Sequence, residues 1–262
     1  MSELASGKLL LDEPAEGVAR LTIANPERRG ALDHELLDAL ADCARTLDAR
    51  CLVLTGSGSM FSAGYDIGDL DGANFEEAAE RLVAHPFHAA LEALEAYEYP
   101  VIGQLNGHAI GGGLELALTC DIRIAAGGIK LGMPPAKLGL IYSHTGLLKF
   151  LDLCGPAYTA ELFHVGRNVD AERGLAMGLV NEVVPAEELE ERTLAMAGEI
   201  ASNAPLSLAG NKKIMRALRD PRLGEELERE LVELRESCFK SEDFLEGVRA
   251  FGEKRKPAWK GR

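Results

Sequence analysis

The stretch from His108 to Cys120, HAIGGGLELALTC, places three consecutive glycines directly before a run of good helix formers. A helix that begins there would expose the unpaired N–H groups of its first turn, and glycine lets another group approach that backbone closely. The helix dipole adds partial positive charge at the same point. The stretch therefore predicts a helix N-terminus that can stabilise negative charge on a bound molecule.

A permanently bound phosphate fits this helix start poorly. A phosphate-binding loop carries Lys and then Ser or Thr after its last glycine, whereas Leu114 and Glu115 follow here. The carboxylate of Glu115 would repel a resident phosphate. It would not prevent the stabilisation of an oxyanion that exists only during a reaction.

Glu115 itself has two interpretations. The helix dipole favours an acid near a helix start, and such an acid can lie on the surface. Its neighbours Leu114, Leu116 and Leu118 instead indicate a helix that is buried almost all round. Burial would raise the pKa of the carboxyl group and suit it to proton transfer. On this stretch alone both interpretations remain open.

The flanking sequence predicts an α/β protein. CLVLTG (51–56) and VIGQL (101–105) are short, continuous apolar runs, typical of strands buried on both faces. A helix opening on an Asp N-cap is predicted over 33–49, and another strand over 121–126. This alternation favours parallel strands with helical connections. From residue 186 to the end, the pattern predicts four charged, amphipathic helices.

A second glycine-containing loop, MFSAGYDIGDL (60–70), follows the strand CLVLTG just as the glycine run follows VIGQL. Loops that leave neighbouring strands of one sheet commonly converge on a ligand. One backbone N–H group from each loop could then hold a single oxygen atom.

Composition excludes several functional classes. Of the 262 residues, 47% are hydrophobic, which allows a sizeable core, and the net charge of −14 argues against nucleic-acid or anionic-membrane partners. Five scattered cysteines without a C-x-x-C pair, and six histidines without ligand spacing, give no disulfide framework or metal site. The N-terminal residues lack the basic and apolar regions of a signal peptide. We expect a soluble, cytoplasmic protein.

The motifs resemble those of the crotonase superfamily, the enoyl-CoA hydratase/isomerase family, over nearly the whole chain. The two central matches are FSAGYDIGDL (61–70) and NGHAIGGGLELALTCDIRIAA (106–126). Supporting matches are NPERRGAL (25–32), GLAMGLVNEVV (174–184) and SEDFLEGVRAFGEKRKPAW (241–259).

The resemblance implies a particular fold and assembly. Residues 1–200 would form a spiral of repeated ββα units, and residues 201–262 a helical region used in trimer formation. Trimers of this family often pair into hexamers. The substrate would be an acyl-CoA thioester, with no metal and no cofactor beyond the CoA that the substrate carries.

The resemblance also implies a catalytic site. The peptide N–H groups of Tyr65 and Gly112 would form an oxyanion hole for the thioester oxygen as it becomes an enolate. Each such donor typically lowers a barrier by about 3–4 kcal/mol. Glu115 matches the first of two glutamates that hydratases of this family use to position and ionise water.

CoA contacts follow from the same resemblance. The backbone groups of Ala63, Asp66 and Ile67 would hold the adenine. Arg28 and Arg29 are candidates for the CoA phosphates, and the alternative is that they belong to a solvated loop with no ligand contact.

One position departs from the hydratase pattern. The second glutamate falls on Pro135, which can neither hold nor protonate a water molecule. The polar side chains of Tyr142 and His144 are possible substitutes. The segment PPAKLGLIYSHTGL (134–147) resembles the methylmalonyl-CoA decarboxylases of the superfamily, which also lack that glutamate and carry a tyrosine at the position of Tyr142.

Three functional hypotheses remain. The first is a lyase of the hydratase/isomerase type that uses Glu115 alone or with Tyr142 or His144. The second is a decarboxylase of a short malonyl-type thioester, in which Tyr142 orients the carboxylate that leaves. The third is a non-catalytic acyl-CoA binder. Tyr142 could also be a core residue, and His144 a helix cap.

Overall fold

The computed structural model describes most of the chain. The described residues are 1–65, 86–138, 142–219, 226, 229, 241–243, 246, 250, 253, 255 and 257–262. Asp66 and Ile67, which are predicted to contact the CoA adenine, lie outside them, as does most of the C-terminal tail.

Thirteen strands are numbered along the described part of the chain. They are β1 (Ser2–Leu4), β2 (Leu9–Ala15), β3 (Val18–Ile23), β4 (Ala31–Leu32), β5 (Cys51–Gly56), β6 (Met60–Ser62), β7 (Gly64–Tyr65), β8 (Val101–Leu105), β9 (His108–Ile110), β10 (Ile122–Ala126), β11 (Lys130–Gly132), β12 (Val169–Asp170) and β13 (Glu182–Val184).

The α-helices of the same residues are numbered in the same way. They are α1 (His34–Thr46), α2 (His88–Ala96), α3 (Gly112–Thr119), α4 (His144–Ala160), α5 (Ala171–Met177), α6 (Leu189–Ala201) and α7 (Pro205–Leu218). None of the described helices is both long enough and apolar enough to cross a bilayer.

The main sheet has seven strands in the order β1-β2-β3-β5-β8-β10-β13. Strands β1, β2 and β3 pair antiparallel. From β3 onward each neighbouring pair is parallel. Every residue of β5 and β8 is buried, as their continuous apolar sequences predict.

A second sheet explains the spiral. Its order is β12-β11-β9-β6, and its three short strands β6, β9 and β11 lie parallel to one another. Each of them directly follows a strand of the main sheet, namely β5, β8 and β10. The chain therefore steps repeatedly from one sheet to the other and then into a helix, which confirms the expected ββα repeat.

Local sequence signals placed the first helix correctly. The side chain of Asp33 accepts a hydrogen bond from Leu36 N at 2.9 Å, which caps α1 as predicted. At the N-terminus, β1 and the 3-10 turn Ala5–Gly7 were not predicted, because SELASGK is polar and lacks the apolar alternation of a strand. Of the four predicted C-terminal helices, α6 and α7 are present and the others lie outside the described residues.

Candidate active site

The two glycine-containing loops meet at the start of α3. Gly64 has a φ of +88°, and a Cβ added there would lie 2.8 Å from Gly112 N. A Cβ added at Gly113 would lie 2.2 Å from the carbonyl oxygen of Ser62. The glycines are therefore required because one backbone packs directly on the other, which brings residues 62–65 against the first turn of the helix.

Ser62 and Asn106 hold this junction, and the sequence analysis missed both. The Ser62 hydroxyl donates to Gly30 O at 2.7 Å and accepts from Gly64 N at 3.1 Å. The Asn106 side chain accepts from Gly56 N at 2.9 Å. It also donates to backbone oxygens of the turn between β5 and β6. An Asn-Gly pair directly after a buried strand is a turn signal that could have identified Asn106.

Glu115 lies in the first turn of α3 with only 3% of its surface exposed. All eight residues of this helix are buried, so the interpretation of Glu115 as a surface acid is wrong. Burial raises the pKa of its carboxyl group, while the hydrogen bond from Tyr142 and the charge of Lys149 act in the opposite direction. A raised pKa suits a carboxyl group to proton transfer.

Tyr142 is brought directly to Glu115. Its hydroxyl donates a short hydrogen bond to Glu115 Oε2. Its ring packs edge-on against Phe163, with 5.6 Å between ring centroids. Burial raises the pKa of this phenol, and the Glu115 charge adds to that effect. Tyr142 therefore belongs to the polar site as well as to the edge of the core.

The ring of Tyr65 lies over Gly112. A Cβ added at Gly112 would be 3.1 Å from Tyr65 Cε2. The ring also packs edge-on against Phe87, with 4.6 Å between centroids. The four predicted catalytic residues, Tyr65, Gly112, Glu115 and Tyr142, thus form one contiguous cluster.

Neither Pro135, which stands at the position of the missing glutamate, nor His144, the other candidate for that role, joins this cluster by a described hydrogen bond. Pro135 is buried at the start of the 3-10 helix Pro135–Leu138. His144 is an exposed first residue of α4. The cap of that helix is Ser143, whose hydroxyl accepts from Gly146 N at 3.1 Å, so the predicted cap at His144 is wrong by one residue.

Gly146 provides the space in which Tyr142 and Glu115 meet. An added Cβ would lie 2.5 Å from Tyr142 Cε1 and 3.0 Å from Glu115 Oε1. No pattern in the sequence singles out this glycine, because it lies within a helix and its contact with Glu115 joins distant parts of the chain.

Replacing Gly146 by Ala is expected to reduce the free energy of unfolding by about 1–3 kcal/mol, because the methyl group overpacks a filled site. The matched control is Gly198→Ala in α6, where an added Cβ has nothing within 4 Å. That change should stabilise the protein by about 0.5–1 kcal/mol through helix propensity. Urea unfolding measures the free energy of unfolding of both variants. An equal change in the two variants would refute the packing argument.

A cavity of about 410 Å³ lies behind Glu115, between α2, α3, α4 and α7. Its lining includes Glu115 but none of Tyr65, Gly112 and Tyr142, so it opens on the other side of the carboxylate. Lys149 is part of this wall. Its ammonium group pairs with Glu95 at 2.6 Å and donates to Thr119 Oγ1 at 3.0 Å.

Two of the residues predicted to contact CoA, Ala63 and Arg28, lie among the described residues. Ala63 N donates to Arg29 O at 3.0 Å, which ties the segment NPERRGAL to the loop before Tyr65. The N–H group of Ala63 is thereby engaged within the protein. Arg28 is exposed in the adjoining 3-10 helix Pro26–Arg28.

The raised pKa of Glu115 has a consequence for stability. The folded protein retains this proton to a higher pH than the unfolded chain, whose carboxyl group titrates near 4.5. The contribution of Glu115 to the free energy of unfolding therefore falls as pH rises from about 4.5 through the raised value.

We expect Glu115→Gln to remove this decline. Relative to the parent protein, the variant should gain stability as the pH is raised from about 4.5 towards neutral. Urea unfolding at a series of pH values measures the difference. If the free energies of unfolding of the parent protein and the variant change in parallel over this range, the pKa of Glu115 is not raised in the folded state.

Comparison with known proteins places these features in a family. A sequence model described as Enoyl-CoA hydratase/isomerase matches residues 13–262. Carnitinyl-CoA dehydratase of Salmonella typhi is 37% identical over 219 residues, which is 82% of this chain and 83% of that protein. A probable enoyl-CoA hydratase of Bacillus subtilis is 35% identical over 249 residues, or 93% and 95% of the two chains.

Solved structures agree with the sequence relatives. The crystal structure of an enoyl-CoA hydratase from Bacillus anthracis superposes with a TM-score of 0.88 at 32% identity, covering 97% of this chain and 100% of the other. Pseudomonas aeruginosa DspI gives 0.88 at 33% identity, with 97% of each chain covered. The ββα spiral, the two converging glycine loops and these matches together establish that the chain belongs to the enoyl-CoA hydratase/isomerase family of the crotonase superfamily.

Proposed function

We propose that this protein is an acyl-CoA lyase of the hydratase/isomerase type, in which Glu115 carries the proton transfers. The observation that carries the proposal is the placement of one buried carboxyl group beside two converged backbone loops. The relatives named carnitinyl-CoA dehydratase and enoyl-CoA hydratase support the same class of substrate.

The first step of the proposed mechanism is binding of the thioester oxygen. The N–H groups of Tyr65 and Gly112 would donate to it from opposite loops. Gly112 opens α3, so its N–H group has no partner within the helix and lies at the positive end of the dipole. The close packing of Gly64 on Gly112 N supports a common target for the two amides.

Negative charge would then gather on that oxygen as the acyl group reacts. In hydration of a 2-enoyl thioester, Glu115 removes a proton from water as the water oxygen bonds to C3, and the enolate takes the proton at C2. In migration of a double bond, Glu115 removes a proton from C2 of a 3-enoyl thioester and returns it to C4. Each route needs one carboxylate, and among the described residues Glu115 is the carboxyl group that lies at the junction of the two loops.

Tyr142 has the role of holding Glu115 in this scheme. Its hydrogen bond fixes one carboxylate oxygen, Oε2, and leaves Oε1 to meet water or the acyl group. A hydrogen bond to the ionised form also limits the rise in pKa that burial causes, so that Glu115 can still act as a base.

Decarboxylation of a malonyl-type thioester is the second candidate. It is favoured by Pro135 at the second glutamate position and by the Tyr142 phenol within the site. In that reaction the C–C bond to the carboxylate breaks, CO₂ leaves, and the enolate is protonated by Glu115. The Tyr142 hydroxyl would first have to exchange its bond to Glu115 for one to the substrate carboxylate. The observed bond to Glu115 therefore favours the first candidate.

The CoA moiety and the assembly form part of the same proposal. The adenine would lie against backbone groups of Ala63, Asp66 and Ile67, with Arg28 near the phosphates. The chain would form trimers or hexamers. Large exposed apolar side chains on α4 and α7, among them Leu148, Met215 and Leu218, support packing against another copy.

Three substrates separate the candidate functions. Purified protein would be given crotonyl-CoA, a 3-enoyl-CoA and methylmalonyl-CoA, each alone. Loss or gain of enoyl absorbance supports hydration or isomerisation, respectively, and release of CO₂ from methylmalonyl-CoA supports decarboxylation instead. Binding of all three without turnover would contradict the enzymatic proposal and indicate a non-catalytic acyl-CoA binder.

A further inference from the structure

A lysine side chain lies mostly buried beside the proposed acid–base group, on the side away from the loop junction. Lys149 belongs to α4, and its side chain is 12% exposed. It lines the same cavity as Glu115, whereas Tyr65 and Gly112 of the loop junction do not. Burial of an ammonium group is costly unless partners compensate for the lost water, so the position of this lysine requires an explanation.

Three helices share this ammonium group. Lys149 Nζ pairs with Glu95 of α2 at 2.6 Å and donates to Thr119 Oγ1 of α3 at 3.0 Å. The Thr119 hydroxyl in turn donates to the backbone oxygen of Glu115 at 3.0 Å. Lys149 therefore ties α2 and α4 to the turn of α3 that begins at Glu115.

The packing of α4 on α3 sets how far this charge lies from the carboxyl group. Glu115 and Thr119 are neighbours on the surface of α3, and Gly146 and Lys149 are neighbours on α4 in the same way. A Cβ added at Gly146 would lie 3.0 Å from Glu115 Oε1, and the next contact along the two helices joins Lys149 to Thr119. Lys149 therefore reaches α3 about one helical turn, or roughly 6 Å, from Glu115.

We propose that Lys149 is a positioning residue for proton transfer by Glu115. It fixes the turn of α3 that carries the carboxylate, and it supplies positive charge that stabilises the ionised base in a buried site. A positive charge at this separation favours the ionised form of a carboxyl group. The effect of Lys149 on turnover rests on the proposed function, whereas its effect on the ionisation of Glu115 does not.

Glu95 determines how much of this charge acts on Glu115. Its carboxylate has the same sign as that of Glu115, so it opposes the ionisation that Lys149 favours. After burial and the Tyr142 hydrogen bond, the charge of Lys149 has the largest effect on the pKa of Glu115 and lowers it, and Glu95 raises it by less. Removal of Lys149 and removal of Glu95 should therefore change the ionisation of Glu115 in opposite directions. A lysine that only held the helices together would give no such opposition.

The other titratable and charged groups around Glu115 stay constant in these variants. Tyr142 donates to Glu115 Oε2, and the ring of Tyr65 lies in the same cluster. His88 of α2 also lowers the pKa of Glu115 and is paired with Glu92 at 3.1 Å. The remaining charged residues of the cavity wall are Asp121, Arg123, Asp152, Lys212, Arg216 and Arg219.

The experiment measures the pKa of Glu115 in the full-length, ligand-free protein by infrared spectroscopy. The band of the protonated Glu115 carboxyl group is identified by its loss in Glu115→Gln. Lys149→Met keeps the length of the side chain and removes its charge, so it should raise the pKa by about one unit. Glu95→Gln removes the opposing carboxylate and should lower the pKa by about half a unit.

Two further variants serve as controls. Lys149→Arg keeps the positive charge and should leave the pKa close to that of the parent protein. Lys213→Met removes the same charge from an exposed position on α7 and should leave the band unchanged, because exposed charges are screened.

The signs of the shifts decide the outcome. A shift in Lys149→Met no larger than that in Lys213→Met would overturn the proposal. Shifts of the same sign in Lys149→Met and Glu95→Gln would also overturn it, since they would indicate a purely structural role. If Lys149→Met does not fold, a pKa that fails to fall in Glu95→Gln is sufficient to overturn the proposal.

Turnover gives a second readout, which separates this proposal from the proposed function. Glu115 acts as a base only when it is ionised, so Lys149→Met should move the acid limb of the pH profile of kcat to higher pH. Below that limb kcat should fall by about ten-fold, with KM close to that of the parent protein. Glu95→Gln should move the limb to lower pH. If the parent protein turns over none of the substrates above, the proposed function fails, whereas the infrared shifts still decide whether Lys149 stabilises the ionised carboxylate.

Discussion

Replacing Glu115 by Gln is expected to lower turnover of an enoyl-CoA substrate by about 10²–10⁴-fold, the usual contribution of a positioned acid–base group. Gln has nearly the same shape and can still accept the hydrogen bond from Tyr142 through its amide oxygen. It cannot take up or return a proton. The expected loss is in kcat, with little change in KM.

The control for this variant is Glu92→Gln. Glu92 also lines the cavity near Glu115, but its side chain is 60% exposed and pairs with His88. This change should leave kcat within about two-fold of the parent value, since exposed ion pairs contribute little. Full activity in Glu115→Gln, or an equal loss in both variants, would refute the assignment of Glu115 as the proton-transfer group.

Gly64→Ala is expected to give the second large effect, because it disturbs the junction of the two loops. The backbone of Gly64 has a φ of +88°, where a side chain costs about 1–2 kcal/mol. The added Cβ would also lie 2.8 Å from Gly112 N, so one of the two loops must move. Displacement of about 1 Å at a reacting centre can reduce turnover by about 100-fold.

Gly128 offers a matched control for the backbone strain. It has a φ of +81°, and a Cβ added there would have nothing within 4 Å. Gly128→Ala should therefore lose only the stability that backbone strain costs, which is less than the loss in Gly64→Ala, and should keep its activity. Urea unfolding and kcat would be measured for both variants. If the two lose kcat equally, the loss in Gly64→Ala cannot be assigned to the contact with Gly112.

The central motifs could be predicted from sequence because their signals are local. Three glycines before a run of helix formers predicted a helix N-terminus, and α3 begins at Gly112 as expected. The continuous apolar runs correctly predicted strands β5 and β8. The acid among leucines left a surface and a buried carboxyl group open, and the structure shows that Glu115 is buried.

Contacts between distant segments could not be predicted in the same way. Neither spacing nor composition indicated that Gly146 makes room for Tyr142 to contact Glu115. Nor did they indicate that the Tyr65 ring covers Gly112. The ββα spiral depends on the pairing of β6, β9 and β11, each only three residues long and therefore too short to show a clear period. The family resemblance supplied that part of the fold.

The proposed CoA contacts depend partly on local motifs and partly on contacts between distant segments. The hydrogen bond from Ala63 N to Arg29 O joins two segments that the resemblance had assigned to the same ligand. Asp66 and Ile67 fall outside the described residues, so their part in adenine binding stays a prediction.

The most direct test is a crystal structure of Glu115→Gln with crotonyl-CoA bound, because the slowed variant should preserve the ester. The thioester oxygen is predicted to lie about 2.7–3.1 Å from both Tyr65 N and Gly112 N. An acyl carbonyl that contacts neither amide, or amides that donate to other parts of the protein while the ester is bound, would contradict the proposed oxyanion hole and the mechanism that depends on it.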